Sequence, residues 1–169
     1  MKKNLTLTGM MGVGKTTIGK ILSELLSMQF IDIDRIIEKK HNMTISRIFE
    51  LRGENFFRKL EEDNTLEQAK KKNVIISLGG GAFMNSKIRE EILLNSTSFW
   101  LNSNLEIIKE RLKNSQKRPL LNNDYFEKTL EQIYHERKDT YALADHKIEC
   151  NKQKPNLIAN IIIKIYENR

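Results

Sequence analysis

Cysteine and proline are nearly absent: Cys150 is the single thiol and Pro119 and Pro155 the only prolines in 169 residues. One thiol excludes an intrachain disulfide framework and a thiolate metal cluster. No internal repeat or low-complexity linker divides the chain, so one domain over 1–169 is expected. No apolar run is long enough to cross a bilayer. Met1-Lys2-Lys3-Asn4 leads straight into a strand-like segment, which leaves no room for a signal peptide, and a cytoplasmic protein without membrane attachment is expected. The histidines His41, His135 and His146 lack metal-ligand spacing. Aromatic residues make up only 7% of the chain, and no basic stripe is interleaved with them. The net charge of +7 and the pI near 9.4 therefore read as a lysine-rich solvated surface without a nucleic-acid partner. Lys70-Lys71-Lys72 is the longest basic run, and the surplus charge favours encounter with anionic substrates.

What is present is an ordinary globular composition, 39% hydrophobic and 30% charged. A chain of this length buries about 70% of the surface its unfolded form exposes, so a full core is available. The segment Gly9-Met10-Met11-Gly12-Val13-Gly14-Lys15-Thr16-Thr17 fits G-x-x-x-x-G-K-[ST], between a strand-like Leu5–Thr8 and a periodic helix. Glycines let successive backbone N–H groups point into one concavity, the shape of a phosphate cradle. Lys15 adds a full charge for the outer phosphates, the helix N-terminus a partial one, and the Thr16 hydroxyl can ligate magnesium.

Beyond the loop, Ile18, Ile21, Leu22, Leu25 and Leu26 form one helical face ending near Met28. Phe30–Asp34 reads as a strand, Asp34–Lys40 as a helix stopping near Asn42, and Thr44–Lys72 as mainly helical with a break at Gly53. Val74–Leu78 reads as a strand buried on both faces, Ser98–Leu101 as the next, followed by a helix carrying Leu105, Ile108 and Leu112. Lys113–Asp124 is expected to be a mobile loop. A helix with Phe126, Leu130, Ile133 and Tyr134 follows, then a strand His146–Cys150 and a helix beginning near Pro155. Alternating strands and helices imply an α/β fold with a parallel sheet covered on both faces.

A phosphate loop names a nucleotide site and leaves the acceptor open. Asp32 and Asp34, two apart at the end of the expected strand, would share a face. One can hold magnesium through water while the other orients or deprotonates an attacking hydroxyl, although Asp34 also suits an N-cap. Gly79-Gly80-Gly81 after a buried strand suits a tight turn or a close backbone approach to a ligand. Arg58, Arg118 and Arg137 are candidate anion contacts among which spacing alone does not choose.

Taken together, Asp32-Ile33-Asp34, Ile36-Ile37-Glu38, Ile48-Phe49, Gly53-Glu54, Phe57-Arg58, Glu61, Leu78 to Ala82, Arg118-Pro119-Leu120-Leu121, Glu136-Arg137, Tyr141 and Ala144-Asp145 resemble the shikimate kinase family. The resemblance implies a three-layer P-loop kinase fold, nucleoside-monophosphate-kinase-like, with a five-stranded parallel sheet and helices on both faces. It also implies an acceptor-binding region at about 33–61, a lid at about 113–124 and a monomer. The implied reaction is ATP-dependent phosphorylation of the 3-hydroxyl of shikimate, with Mg2+, in the pathway to chorismate and the aromatic amino acids.

Carried over from that family, Gly12, Val13, Gly14, Lys15, Thr16 and Thr17 would hold ATP, with Arg111 and Pro155 beside adenine. Lys15 and lid Arg118 would neutralise the moving phosphoryl group, and Thr16 with Asp32 would serve magnesium. Asp34 would bind the acceptor hydroxyl as base or orienter, Arg58 and Arg137 would hold the carboxylate, and Gly79, Gly80 and Gly81 would line the acceptor site. Asn42 stands where that family usually has glycine and Asp139 where proline is common, and neither departure removes a charged contact. Two rivals are another small-molecule kinase of the same fold, such as one resembling gluconate kinase, and a nucleotide-dependent switch or nucleic-acid remodeller. Against a guanine-reading switch, Asn151-Lys152-Gln153-Lys154 lacks the aspartate of N-K-x-D.

Overall fold

Strands that are apolar on both faces need cover on both faces, and the sheet receives it. The computed structural model describes residues 3–113 and 126–168. Its strands β1 (Asn4–Thr8), β2 (Gln29–Asp32), β3 (Val74–Ser77), β4 (Ser96–Asn102) and β5 (His146–Glu149) form one sheet in the order β2-β3-β1-β4-β5. All four neighbouring pairs are parallel. The helices are α1 (Lys15–Leu26), α2 (Ile33–His41), α3 (Ile45–Ala69), α4 (Ser86–Asn95), α5 (Leu105–Leu112), α6 (Phe126–Tyr141) and α7 (Pro155–Glu167).

Period-two alternation divides the core. Leu5, Leu7, Ile75, Phe99, Leu101 and Ile148 pack against Ile18 and Leu22 of α1 and Ile158 and Ile162 of α7. Their strand neighbours Ile31, Val74, Ile76 and Trp100 face the opposite way, toward Ile48 and Phe57 of α3, Ile88 and Ile92 of α4, and Leu130 and Ile133 of α6. The connections leaving the C-terminal ends of β1, β2 and β3 therefore lie at one edge, the usual ligand edge of such sheets.

Three local readings need correction. β2 ends at Asp32, not at Asp34: the Asp32 side chain accepts from the Arg35 backbone N–H at 3.3 Å and caps α2. The cap diverts the chain into a helix at Ile33, so Asp34 becomes a first-turn acid at a helix N-terminus, where its charge is favourable. The two carboxylates are thus not alternate residues of one strand. Second, α4 was not expected. It is capped by Asn85, whose Oδ1 accepts from the backbone N–H groups of Lys87 and Ile88, and only Ile88 and Ile92 of it are buried, which leaves a faint periodic signal. Third, β4 begins at Ser96, ahead of the expected Ser98.

Other features follow the sequence. Asn42 closes α2 in the left-handed region at φ 49° and ψ 37°. Gly53 breaks the helical path inside α3 with φ 78° and ψ 171°. Residues 114–124 of the expected lid, including Arg118, lie outside the described residues. Among the described residues, no helix is long and apolar enough to cross a membrane.

Candidate active site

The loop between β1 and α1 takes positive φ at Gly9 (133°), Gly12 (78°) and Gly14 (110°), conformations that glycine adopts at little cost. Lys15, buried at the start of α1, curls back so that Nζ donates to the carbonyls of Gly9 at 2.8 Å and Met10 at 3.0 Å. From α1 the Thr16 hydroxyl donates to Asp32 Oδ2 at 2.8 Å, tying the phosphate loop to the end of β2. Gly12, Gly14, Lys15, Thr16, Thr17 and Asp32 line one cleft, and Arg111 of α5 overhangs it. Arg111 Nη1 donates to the Val13 carbonyl at 3.1 Å, and Val13 itself is buried beneath the loop. Pro155 opens α7, is exposed, and lines neither this cleft nor its neighbour.

A second cleft adjoins the first. Its charged wall is Asp34, Arg58, Glu61 and Arg137, and its apolar wall includes Met11, Ile45, Phe49 and Phe57. Arg58 Nη1 donates to Glu61 Oε2 at 2.6 Å, while Nε and Nη2 both donate to Glu54 Oε1, at 3.1 and 2.9 Å. The guanidinium also lies 5.3 Å from the centroid of the Phe57 ring, so three contacts fix its plane. Arg137 Nη1 donates to the Gly80 carbonyl at 3.0 Å, and the Tyr141 hydroxyl donates to the same oxygen.

Glu61 is a site residue to which sequence reasoning gave no role. It is buried, and burial pushes its carboxyl up to about 7 against the pull of Arg58, with the Asp34 charge adding to the rise. The available signal was its spacing three residues after Arg58 on one helix face, the distance at which a carboxylate meets a guanidinium. The apolar wall was legible only as core.

The three glycines after β3 do not take positive φ; what they need is space. A Cβ on Gly81 would stand 2.6 Å from Arg58 Nη1, and one on Gly79 would stand 2.9 Å from Asp34 Oδ1 and closer still to Glu61 Oε1. The close approach is by the protein's own charged side chains, which crowd the bare backbone at the cleft floor. Gly80, with Asp34, lines both clefts. Of the expected site residues within the described chain, all but Pro155 meet at this edge, Val13 by its carbonyl alone.

The arrangement suits transfer between two neighbouring ligands, one polyanionic and one carrying a carboxylate, with Asp34 at the seam. A likeness to a gluconokinase from Sinorhizobium meliloti 1021, at TM-score 0.62 and 14% identity, reaches no further than the fold. The shikimate kinase of Acinetobacter baumannii, solved in complex with shikimate, superimposes at TM-score 0.96 and 32% identity over 99% of this chain and 94% of that one. The shikimate kinase of Aquifex aeolicus follows at TM-score 0.86 and 33% identity, over 98% of this chain and 96% of that one. In sequence, the shikimate kinase of Sulfurihydrogenibium sp. (strain YO3AOP1) is 41% identical over 96% of this chain and 98% of its own length, and that of Bacillus subtilis (strain 168) is 39% identical over 96% and 88%. With the shikimate kinase family model matching residues 11–167 as well, this chain belongs to the shikimate kinase family of phosphotransferases.

Proposed function

We propose that this chain transfers the terminal phosphoryl group of ATP to the 3-hydroxyl of shikimate, giving shikimate 3-phosphate and ADP on the route to chorismate and the aromatic amino acids. The observation that carries the reading is that Asp34 and Gly80 belong to both clefts, so ligands in the two would meet at a carboxylate. ATP would lie over residues 12–17 with Arg111 above it. Shikimate would lie against Phe49 and Phe57 with its carboxylate toward Arg58 and Arg137, whose planar forks can each fix a carboxylate by two parallel hydrogen bonds. Asp34 would receive or orient the attacking hydroxyl. Gly79, Gly80 and Gly81 would form the floor, because any side chain there would displace the charged groups above it.

Thr16 and Asp32 fit a magnesium ion. Their side-chain oxygens are hard donors 2.8 Å apart at the cleft wall, and a hydroxyl that donates to a carboxylate keeps a lone pair for a cation. Thr16 would ligate directly and Asp32 through water. Magnesium supplies neutralisation of the β- and γ-phosphate charge when bound. Lys15 would turn its ammonium to the outer phosphates, and Arg118 is assigned to the same charge on family resemblance alone. Pro155 has only that support as an adenine neighbour. We read the chain as one cytoplasmic domain acting as a monomer, with acceptor-binding region about 33–61 and lid about 113–124.

A coupled ADP-release assay with ATP, magnesium and shikimate, gluconate or nucleic acid tests the reading. Release that depends on shikimate is expected. Stimulation by gluconate or nucleic acid in its place would overturn it. Lys15→Ala should lose on the order of a hundredfold or more in turnover, because one preorganised donor to developing charge is removed.

A further inference from the structure

Arg137 and Tyr141 lie one helical turn apart at the end of α6, and both aim at one atom. The Gly80 carbonyl oxygen accepts from Arg137 Nη1 at 3.0 Å and from the Tyr141 hydroxyl. Tyr141 has no exposed surface, so it does not reach a ligand in either cleft. Its ring packs against Trp100 of β4, with centroids 6.0 Å apart and planes 27° apart, and its hydroxyl stands 3.9 Å from Met10 Sδ of the phosphate loop. One side chain thus joins β4, the phosphate loop and the floor of the acceptor cleft.

We infer that Tyr141 is a positioning residue for the acceptor: its hydroxyl fixes the Gly80 carbonyl and, through that oxygen and its own contact with Arg137, the Arg137 guanidinium, so that Tyr141 governs acceptor affinity far more than ATP affinity, although Gly80 also borders the phosphate cleft. The inference rests on the reading of Arg137 as a carboxylate contact and adds what holds it in place. An arginine has five N–H donors in a rigid fork. Arg137 spends one on Gly80, which sets the plane in which the rest of the fork lies. Without a second donor, Arg137 alone would satisfy the Gly80 carbonyl, and a carboxylate would compete with that oxygen for the same guanidinium. With the Tyr141 hydroxyl in place, the peptide stays put whichever way Arg137 leans. Burial pushes the Tyr141 hydroxyl up to about 12, so it remains a donor throughout any working range.

Tyr141→Phe keeps the ring against Trp100 and deletes only the hydroxyl, with its donation to Gly80 and its contact with Arg137. The expected result is a rise of about five- to thirtyfold in the Michaelis constant for shikimate, the effect of one lost hydrogen bond to a partly buried acceptor. The Michaelis constant for ATP should stay within about twofold and the melting temperature within a few degrees. The same substitution in an Arg137→Lys background should cost clearly less than in the wild type, since residues acting through one another are not additive. Unchanged shikimate kinetics would overturn the inference, as would additive effects, equal losses for both substrates, or a variant that fails to fold, because each makes the hydroxyl a prop of the fold or an idle group. Failure of the underlying reading would look different: the wild-type protein itself would show no shikimate-dependent ADP release.

Discussion

Burial of the Glu61 carboxyl between Arg58 and Asp34 makes it the residue whose protonation should register in the stability of the whole fold. Its folded-state value rises from an ordinary 4.5 to about 7, so the folded chain binds this proton more tightly than the unfolded one. The resulting stabilisation is complete below the unfolded value and is lost as pH rises through about 7. Glu61→Gln keeps an oxygen for Arg58 Nη1 and removes the titration, so the fall in melting temperature between about pH 5 and about pH 8 should become shallower than in the wild type. An identical slope in the two proteins would show that Glu61 is ionised across that range. The same crowding makes a second residue-scale prediction. Gly81→Ala would place a methyl 2.6 Å from Arg58 Nη1, and Arg58 is already tied to Glu54 and Glu61. The guanidinium must shift, and misplacement of a carboxylate clamp by a fraction of an ångström should lower kcat/KM for shikimate on the order of ten- to a hundredfold. Steady-state kinetics with wild-type values would mean that the clamp has room the structure does not show.

Helix termini are where the sequence was legible and where it misled, and the difference lies in how local the cause is. Asn42 reads as a left-handed cap because a short polar side chain tolerates that conformation, and the structure places it at φ 49°. Gly53 reads as a break for the same kind of reason. Asp32 and Asp34 were misread because strand alternation and N-capping compete for one stretch of chain. The capping bond from Arg35 decides in favour of the helix only once Asp32 stands at the strand end. The phosphate loop was legible because its spacing carries chemistry, whereas Arg58 and Arg137 were assigned by family resemblance, because spacing alone does not choose among the arginines, and Glu61 was given no role. The tether from Tyr141 to Gly80 joins residues 61 positions apart, and no local pattern announces it. Gly53 supplies the prediction at this scale. With φ 78° and ψ 171°, and no atom from outside its own stretch of helix within 4 Å of where a Cβ would sit, any cost of Gly53→Ala is conformational and not a clash with packed neighbours. Denaturant unfolding should show a loss of about 1–3 kcal/mol. No loss would mean that α3 straightens there at no cost.

The molecule as a whole sets two clefts side by side at the C-terminal edge of one parallel sheet, on largely separate supports that meet at Met11 and at the end of β3. The loop after β1 and the start of α1 build the phosphate side, whereas α3, α6 and the glycines after β3 build the other. Binding at either should therefore survive damage to the other, since only Asp34 and Gly80 are common to both. By mass action a ligand at about a hundred times its dissociation constant adds about 2.7 kcal/mol of stability, which for a chain of this size raises the melting temperature by about 5–10 °C. In Lys15→Ala, shikimate should keep most of that shift while magnesium-ATP loses much of its own; in Arg137→Ala the pattern should reverse. Because Lys15 donates to the Gly9 and Met10 carbonyls and Arg137 shares the Gly80 carbonyl with Tyr141, each removal also takes a donor from the backbone, so shifts are to be compared with the same variant without ligand. If both variants lost both shifts, the two clefts would be one cooperative unit, and the division of labour between the sheet's two neighbouring loops would have to be abandoned.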